Sequence, residues 1–194
     1  MVTEWRDILY LSAGTPRQRS AYANLRDLRI LELLAQYDPV LVSTVVIDID
    51  IPSSDLDIIC EVHDLVAFES ELKALFGKFA EFQIHRSLSS SEAVVASFFH
   101  GEWEYEVFGQ AVPVVRQRAY RHLQQNFRVV AHGGEPWRCA IRSLKERGLK
   151  TEPAVAHALK LRGDPYLAVL SLEEVSDEDL ATLVSSGPYL GEAR

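Results

Sequence analysis

Three runs of strand-forming residues follow one another closely in this chain, at 82–88, 93–99 and 103–108. The Ser89-Ser90-Ser91 stretch and the His100-Gly101 pair supply the turns between them. β-Branched and aromatic residues bounded by short polar turns fit a pleated, half-buried surface, so these runs predict three consecutive strands. Two further strand signals lie upstream. Residues 40–47 are mostly β-branched and read as a buried strand, or as a strand followed by a turn. Asp55-Leu56-Asp57-Ile58-Ile59-Cys60 reads as another strand. The expectation is an α+β fold with a mixed β-sheet of about five strands flanked by helices, followed by a helical C-terminal region.

The helices are read from caps and breaks. A short helix is expected over 3–11. Gly14-Thr15-Pro16 then marks a helix start, with Thr15 as N-cap and Pro16 at the first helical position. Leu25, Leu28, Leu31, Leu33 and Leu34 carry that helix to about Gln36, before Asp38-Pro39 breaks it. An amphipathic helix is predicted over 65–79, capped by Asp64. After Pro113 the pattern changes to helices at 116–130, 136–147 and 153–161, with Gly133-Gly134 and Gly148 as stops. A short acidic helix is expected from Ser176 or Asp177. The boundary falls near Pro113, giving an α+β core over 1–113 and a helical region with an acidic tail over 114–194.

Charge supports the same boundary. The 194 residues carry a net charge of −8, but the average conceals a pattern. Residues 1–115 hold 8 basic and 18 acidic groups; residues 116–150 hold 9 basic and 2 acidic; residues 173–194 hold 1 basic and 6 acidic. An acidic block, a basic block and an acidic tail therefore lie in series. The chain is 47% hydrophobic, ordinary for a globular protein. No stretch is long and apolar enough for a membrane span, and Met1-Val-Thr-Glu-Trp-Arg-Asp does not read as a leader. Cys60 and Cys139 are too few for a disulfide scaffold or a Cys-rich zinc site. A cytoplasmic protein without a membrane partner is expected.

The most informative residues are carboxylates. Side chains alternate along a strand, so Asp55 and Asp57 share one face while Leu56 and Ile58 take the other. Two close carboxylates repel unless a cation lies between them, and an oxygen-preferring dication such as Mg²⁺ is the natural partner. Glu102, Glu104 and Glu106 alternate with Trp103, Tyr105 and Val107, which makes one strand face acidic. A solvated sheet face is the simple account and suits Glu102. A Glu beside Asp55 and Asp57 would instead complete a three-carboxylate, two-metal site able to neutralise a triphosphate. The six histidines form no ligand pattern, and neither a P-loop nor a dinucleotide-binding glycine motif occurs.

A set of motifs carries a resemblance. In order they are Gly14-Thr15-Pro16-Arg17-Gln18, Asp50-Ile-Pro-Ser-Ser-Asp-Leu-Asp57-Ile, Glu106-Val-Phe-Gly-Gln110 and Ala119-Tyr-Arg-His122. Gly148-Leu-Lys-Thr-Glu-Pro153 and Gly163-Asp-Pro-Tyr166 follow. Together they span roughly 10–170, and the sequence resembles the polymerase-beta-like nucleotidyltransferases. It looks like a bacterial branch of that superfamily whose domain has no assigned function. The resemblance implies Asp55, Asp57 and Glu106 as catalytic residues and ligands of one or two Mg²⁺ ions. It also implies that Glu106 activates a hydroxyl. Ser43-Thr44 stands where the superfamily usually has Gly followed by Ser or Thr at the phosphates. Ser43 is a departure, because it adds a side chain where backbone and phosphate normally meet.

Ser54, Arg17, Gln18, Arg121 and Lys150 complete the candidate nucleotide-binding set. Arg116, Arg118 and Arg128 lie near Arg121, either as a solvated basic face or as phosphate ligands. Asp48 and Asp50 would repel phosphate unless metal or Arg offsets them. The function implied is Mg-dependent transfer of a nucleoside monophosphate from a nucleoside triphosphate to an unknown acceptor hydroxyl. Nucleic acid is a less favoured partner, since aromatic residues are sparse in the basic block. The alternative is a catalytically degenerate binding or regulatory protein of the same fold, toxin–antitoxin-like in one version.

Overall fold

Trp103, Tyr105, Val107 and Gly109 are buried, while Glu104, Glu106, Phe108 and Gln110 between them are not. This alternation gives one face of a strand to the core and leaves the other partly open. In a computed structural model, which describes residues 5–87 and 92–191, the chain folds as two compact units. One comprises Met1–Val46 and Ser54–Gln117, the other Ile47–Ser53 and Arg118–Arg194. The architecture is α+β, with a mixed five-stranded sheet and flanking helices.

In the first unit a 3-10 turn (Leu9–Ala13) leads into α1 (Pro16–Leu28). Part of the helix expected over 3–11 lies outside the described residues. Thr15 caps α1 as expected: its hydroxyl accepts from the Gln18 N–H at 3.2 Å, and Gln18 Oε1 accepts from the Thr15 N–H at 3.0 Å. The helix does not run to Gln36. Arg29 adopts a left-handed φ of 56°, α2 (Ile30–Leu33) follows, and Ala35–Tyr37 is a 3-10 turn. The break puts Ile30 and Leu34 in the core and leaves Leu33 40% exposed. Apolar burial outweighs the roughly 1–2 kcal/mol cost of one left-handed residue.

Strand β1 (Val40–Leu41) is only two residues long, and a 3-10 turn over Thr44–Ile47 follows it. β2 (Leu56–Glu61), α3 (Leu65–Phe76), β3 (Ala80–Ser87), β4 (Ala93–His100) and β5 (Trp103–Gln110) complete the unit. The Ser89-Ser90-Ser91 turn lies outside the described residues. The sheet order is β1-β2-β5-β4-β3. β2 and β5 are parallel; the other pairs are antiparallel. Both α1 and α3 touch the same sheet face. The Tyr105 hydroxyl donates to Asn24 Oδ1 at 2.6 Å, and Phe98 stacks between Phe76 and Tyr105 at 4.8 and 5.2 Å. Gly109 is required by close packing, because a Cβ there would lie 2.4 Å from the Phe68 ring. Asp57 and Glu106 therefore belong to the face opposite these helices.

The second unit is helical. Gln117 is buried just before it, where its side-chain amide donates to the Cys60 and Val112 carbonyls, both at 2.9 Å. That anchoring delays the helix expected from Arg116, so α4 (Arg118–Glu146) begins two residues later. Gly134, at φ 63°, breaks α4 in two, where the Gly133-Gly134 stop was expected. Then come α5 (Thr151–Ala158), α6 (Pro165–Leu170), a 3-10 turn (Ser171–Glu174) and α7 (Asp177–Ser185). No helix is expected at α6 from the sequence. Its Asp164 cap and Pro165 at the first position are nevertheless ordinary start signals.

The acidic tail has a structural use. Arg128 donates to Asp177 Oδ1 at 3.0 Å and to the Leu172 and Val175 carbonyls at 2.6 Å each. One arginine of the basic block thus pins the turn entering α7. Replacing it by methionine (Arg128→Met) is expected to lower unfolding free energy by about 2 kcal/mol, since bonds to a charged donor are lost. Urea denaturation with an unchanged slope would verify this.

Candidate active-site face

The first turn of the site is set by Ser43. Its side chain is buried and donates to the Asp55 carbonyl. The Val42 N–H donates to the Asp57 carbonyl at 2.9 Å. The chain leaving β1 is thereby held against the chain entering β2. The side chain that Ser43 adds at the position of the usual Gly is thus turned to a backbone oxygen. Thr44 Oγ1 lies 3.4 Å from Ser54 Oγ, which ties the following turn to the same loop.

Asp55 stands immediately before β2 and Asp57 is its second residue; both are half-buried. Asp57 is the register partner of Glu106 across the parallel β2–β5 pair, and Glu106 is half-buried as well. Opposite residues on neighbouring strands share a face at a spacing of about 4.8 Å. Two of the three expected carboxylates are therefore direct neighbours, with the third two residues upstream of Asp57. Among the described residues, no group of three or more His, Cys, Asp or Glu side chains is gathered so as to hold a metal ion.

The remaining candidates divide between the units. Gln18 is buried: besides its capping bond, its Nε2 donates to the Val45 carbonyl at 2.9 Å. Its amide thus organises α1 and the turn after β1. The Arg17 guanidinium lies 3.9 Å from the centre of the Trp103 ring, a cation–π contact that holds it beside β5. In the helical unit Arg121 forms a two-pronged pair with Glu173, at 2.9 and 2.7 Å. This bonding holds the Glu173 carboxyl below the usual carboxylate range. Lys150 is exposed at the N-cap of α5, and Arg116 and Arg118 are exposed.

Asp48 carries its own offset. Arg142 Nη2 lies 2.7 Å from its carboxylate and 2.6 Å from its carbonyl, with Arg138 at 3.9 Å. Lys145, buried, donates to the Ile49 carbonyl at 2.9 Å. Much of the basic block therefore neutralises acids of its own unit. Arg138 and Arg142 are not among the residues expected from the sequence. The only available hint is their spacing of four residues, which places them on one helix side.

Residues 23–172 match the family described as a domain of unknown function, DUF4269. The chain belongs to the DUF4269 family. No curated protein matches it. Among solved structures, this DUF4269 chain is similar to the polymerase core of TRAMP, an RNA surveillance complex, at 12% identity and a TM-score of 0.47. The match covers 92% of this chain and 59% of that one, so the DUF4269 chain spans about three-fifths of that structure's length. Among the described residues no helix is long and apolar enough to cross a membrane.

Proposed function

We propose that this chain is a Mg-dependent nucleotidyltransferase that moves a nucleoside monophosphate from a nucleoside triphosphate to an acceptor hydroxyl. One observation carries the reading: Asp57 and Glu106 are register partners on adjacent parallel strands, on the sheet face away from α1 and α3. Asp55, just upstream, is the third carboxylate that the resemblance implies, and it is not gathered with the other two among the described residues. Their donors are all hard oxygens, which suits Mg²⁺. When bound, Mg²⁺ supplies charge neutralisation for the triphosphate and for the developing charge of transfer. Asp55 and Asp57 are the residues that would hold it, together with Glu106. Glu106 accepts the proton of the acceptor hydroxyl. That oxygen bonds to the α-phosphorus, the bond to pyrophosphate breaks, and the proton leaves through Glu106. A cytoplasmic location belongs to the same reading.

The Ser43 contact favours a second reading, a binding or regulatory protein of this fold without transfer. Ser43 adds a side chain where the superfamily's Gly lets backbone and phosphate meet, and the Asp55 carbonyl holds that side chain in place. Calorimetry of the full chain with each of the four nucleoside triphosphates, with Mg²⁺ and with a chelator, tests the site. Binding of at least one triphosphate that requires Mg²⁺ is expected. Absence of Mg-dependent binding by all four overturns the proposal. Binding without label transfer supports the second reading.

A further inference from the structure

The strand register extends the carboxylate pair into a row. Asp57 faces Glu106 on β5, Glu106 faces Ser97 on β4, and Ser97 faces Gln83 on β3. Four polar side chains thus cross one sheet face over roughly 14 Å, three strand spacings. The row opens outward: Ser97 is half-buried and Gln83 exposed. Neither Ser97 nor Gln83 hydrogen-bonds through its side chain to another described residue.

The sheet order gives the row a direction. Ser43 and Thr44, the expected phosphate residues, follow β1, which lies on the far side of β2 from β5. The acid assigned to hydroxyl activation is on β5. In that arrangement the triphosphate occupies the β1–β2 side, and β4 and β3 are left to the acceptor.

The chemistry of those strands narrows the acceptor. Ser97 is set between Phe99 and Val95 on the same face of β4, and the register partner of Val95 is Phe108. Phe99 and Phe108 are half-buried and stack on no other described aromatic ring. Phe99 itself pairs with exposed Glu104. None of these positions is Lys or Arg, Glu104 and Glu106 are acidic, and His85 pairs with Val95 on the same face. Such a surface repels a polyanion. It offers neutral hydrogen-bonding groups beside apolar rings, which suits a ring with hydroxyls at its edge and C–H groups on its face.

Building on the proposed transferase reading, we propose that the acceptor is a small uncharged polyhydroxy compound of the sugar or polyol class, bound along Ser97 and Gln83 with its ring face on Phe99. Its reacting oxygen lies at Glu106, bonds to the α-phosphorus as pyrophosphate leaves, and gives its proton to Glu106.

The experiment uses the full chain with Mg²⁺ and triphosphates labelled at the α-phosphate. Two probes compete as acceptor: a mixture of methyl α-glucoside and myo-inositol, and a single-stranded RNA oligonucleotide. Label on a polyol is expected. Ser97→Ala and Gln83→Ala should each raise the polyol KM about tenfold with a much smaller fall in kcat, the loss of one hydrogen bond. Ser97→Thr, which keeps the hydroxyl, should restore the KM. Label on the RNA overturns the proposal, as does a KM unmoved by either alanine variant. Calorimetry with Mg²⁺ and inorganic tripolyphosphate on the same preparation separates the two claims. Tripolyphosphate binding with no polyol labelled overturns the acceptor class alone; no binding overturns the transferase reading with it.

Discussion

Asp57→Asn is expected to weaken Mg-nucleotide binding by more than about 100-fold, and to abolish transfer. The substitution keeps the size and planarity of the side chain. It removes one of the two negative charges that face each other across β2 and β5. A dication draws most of its binding from such paired charge, so a neutral amide should not substitute. Asp57 itself is half-buried, and the face of β2 packed on the helices is Leu56, Ile58 and Cys60. The variant should therefore fold, which far-ultraviolet circular dichroism would verify. Calorimetry is the decisive measurement. Unchanged Mg-dependent binding in Asp57→Asn would show that this carboxylate holds no metal.

The second large effect concerns stability. Phe98→Ala should cost about 3–5 kcal/mol, the usual range for removing a buried aromatic ring. Phe98 is fully buried, stacked between Phe76 of α3 and Tyr105 of β5. Phe79 adds a further ring at 5.4 Å. A urea midpoint shifted at constant slope would report this. A loss under 1 kcal/mol would mean that the ring stack is not the keystone linking α3 to the sheet.

How much of this was readable in advance depends on the range of the interaction. Thr15-Pro16 announced α1 because capping is settled within four residues. The strand runs announced β3, β4 and β5 because alternation is local. The end of α1 was not readable, since Arg29 takes its left-handed conformation to bury Ile30 and Leu34, and that gain is tertiary. The acidic tail gave no sign that Asp177 and the Leu172 and Val175 carbonyls would meet Arg128, more than forty residues away.

The same division holds for the candidate site. The sequence by itself determined that Asp55 and Asp57 lie two apart on a strand and that Glu104 and Glu106 share an acidic face. Alternation of side chains requires no more than the chain's own geometry. Which Glu stands beside Asp57 was decided by the parallel pairing of β2 and β5. A one-residue slip of that pairing would put every side chain on the other face, so register belongs to the whole sheet. The tertiary structure alone also placed Ser97 and Gln83 on the row beyond Glu106. Their positions follow from hydrogen bonds between strands, which no local pattern in the sequence encodes.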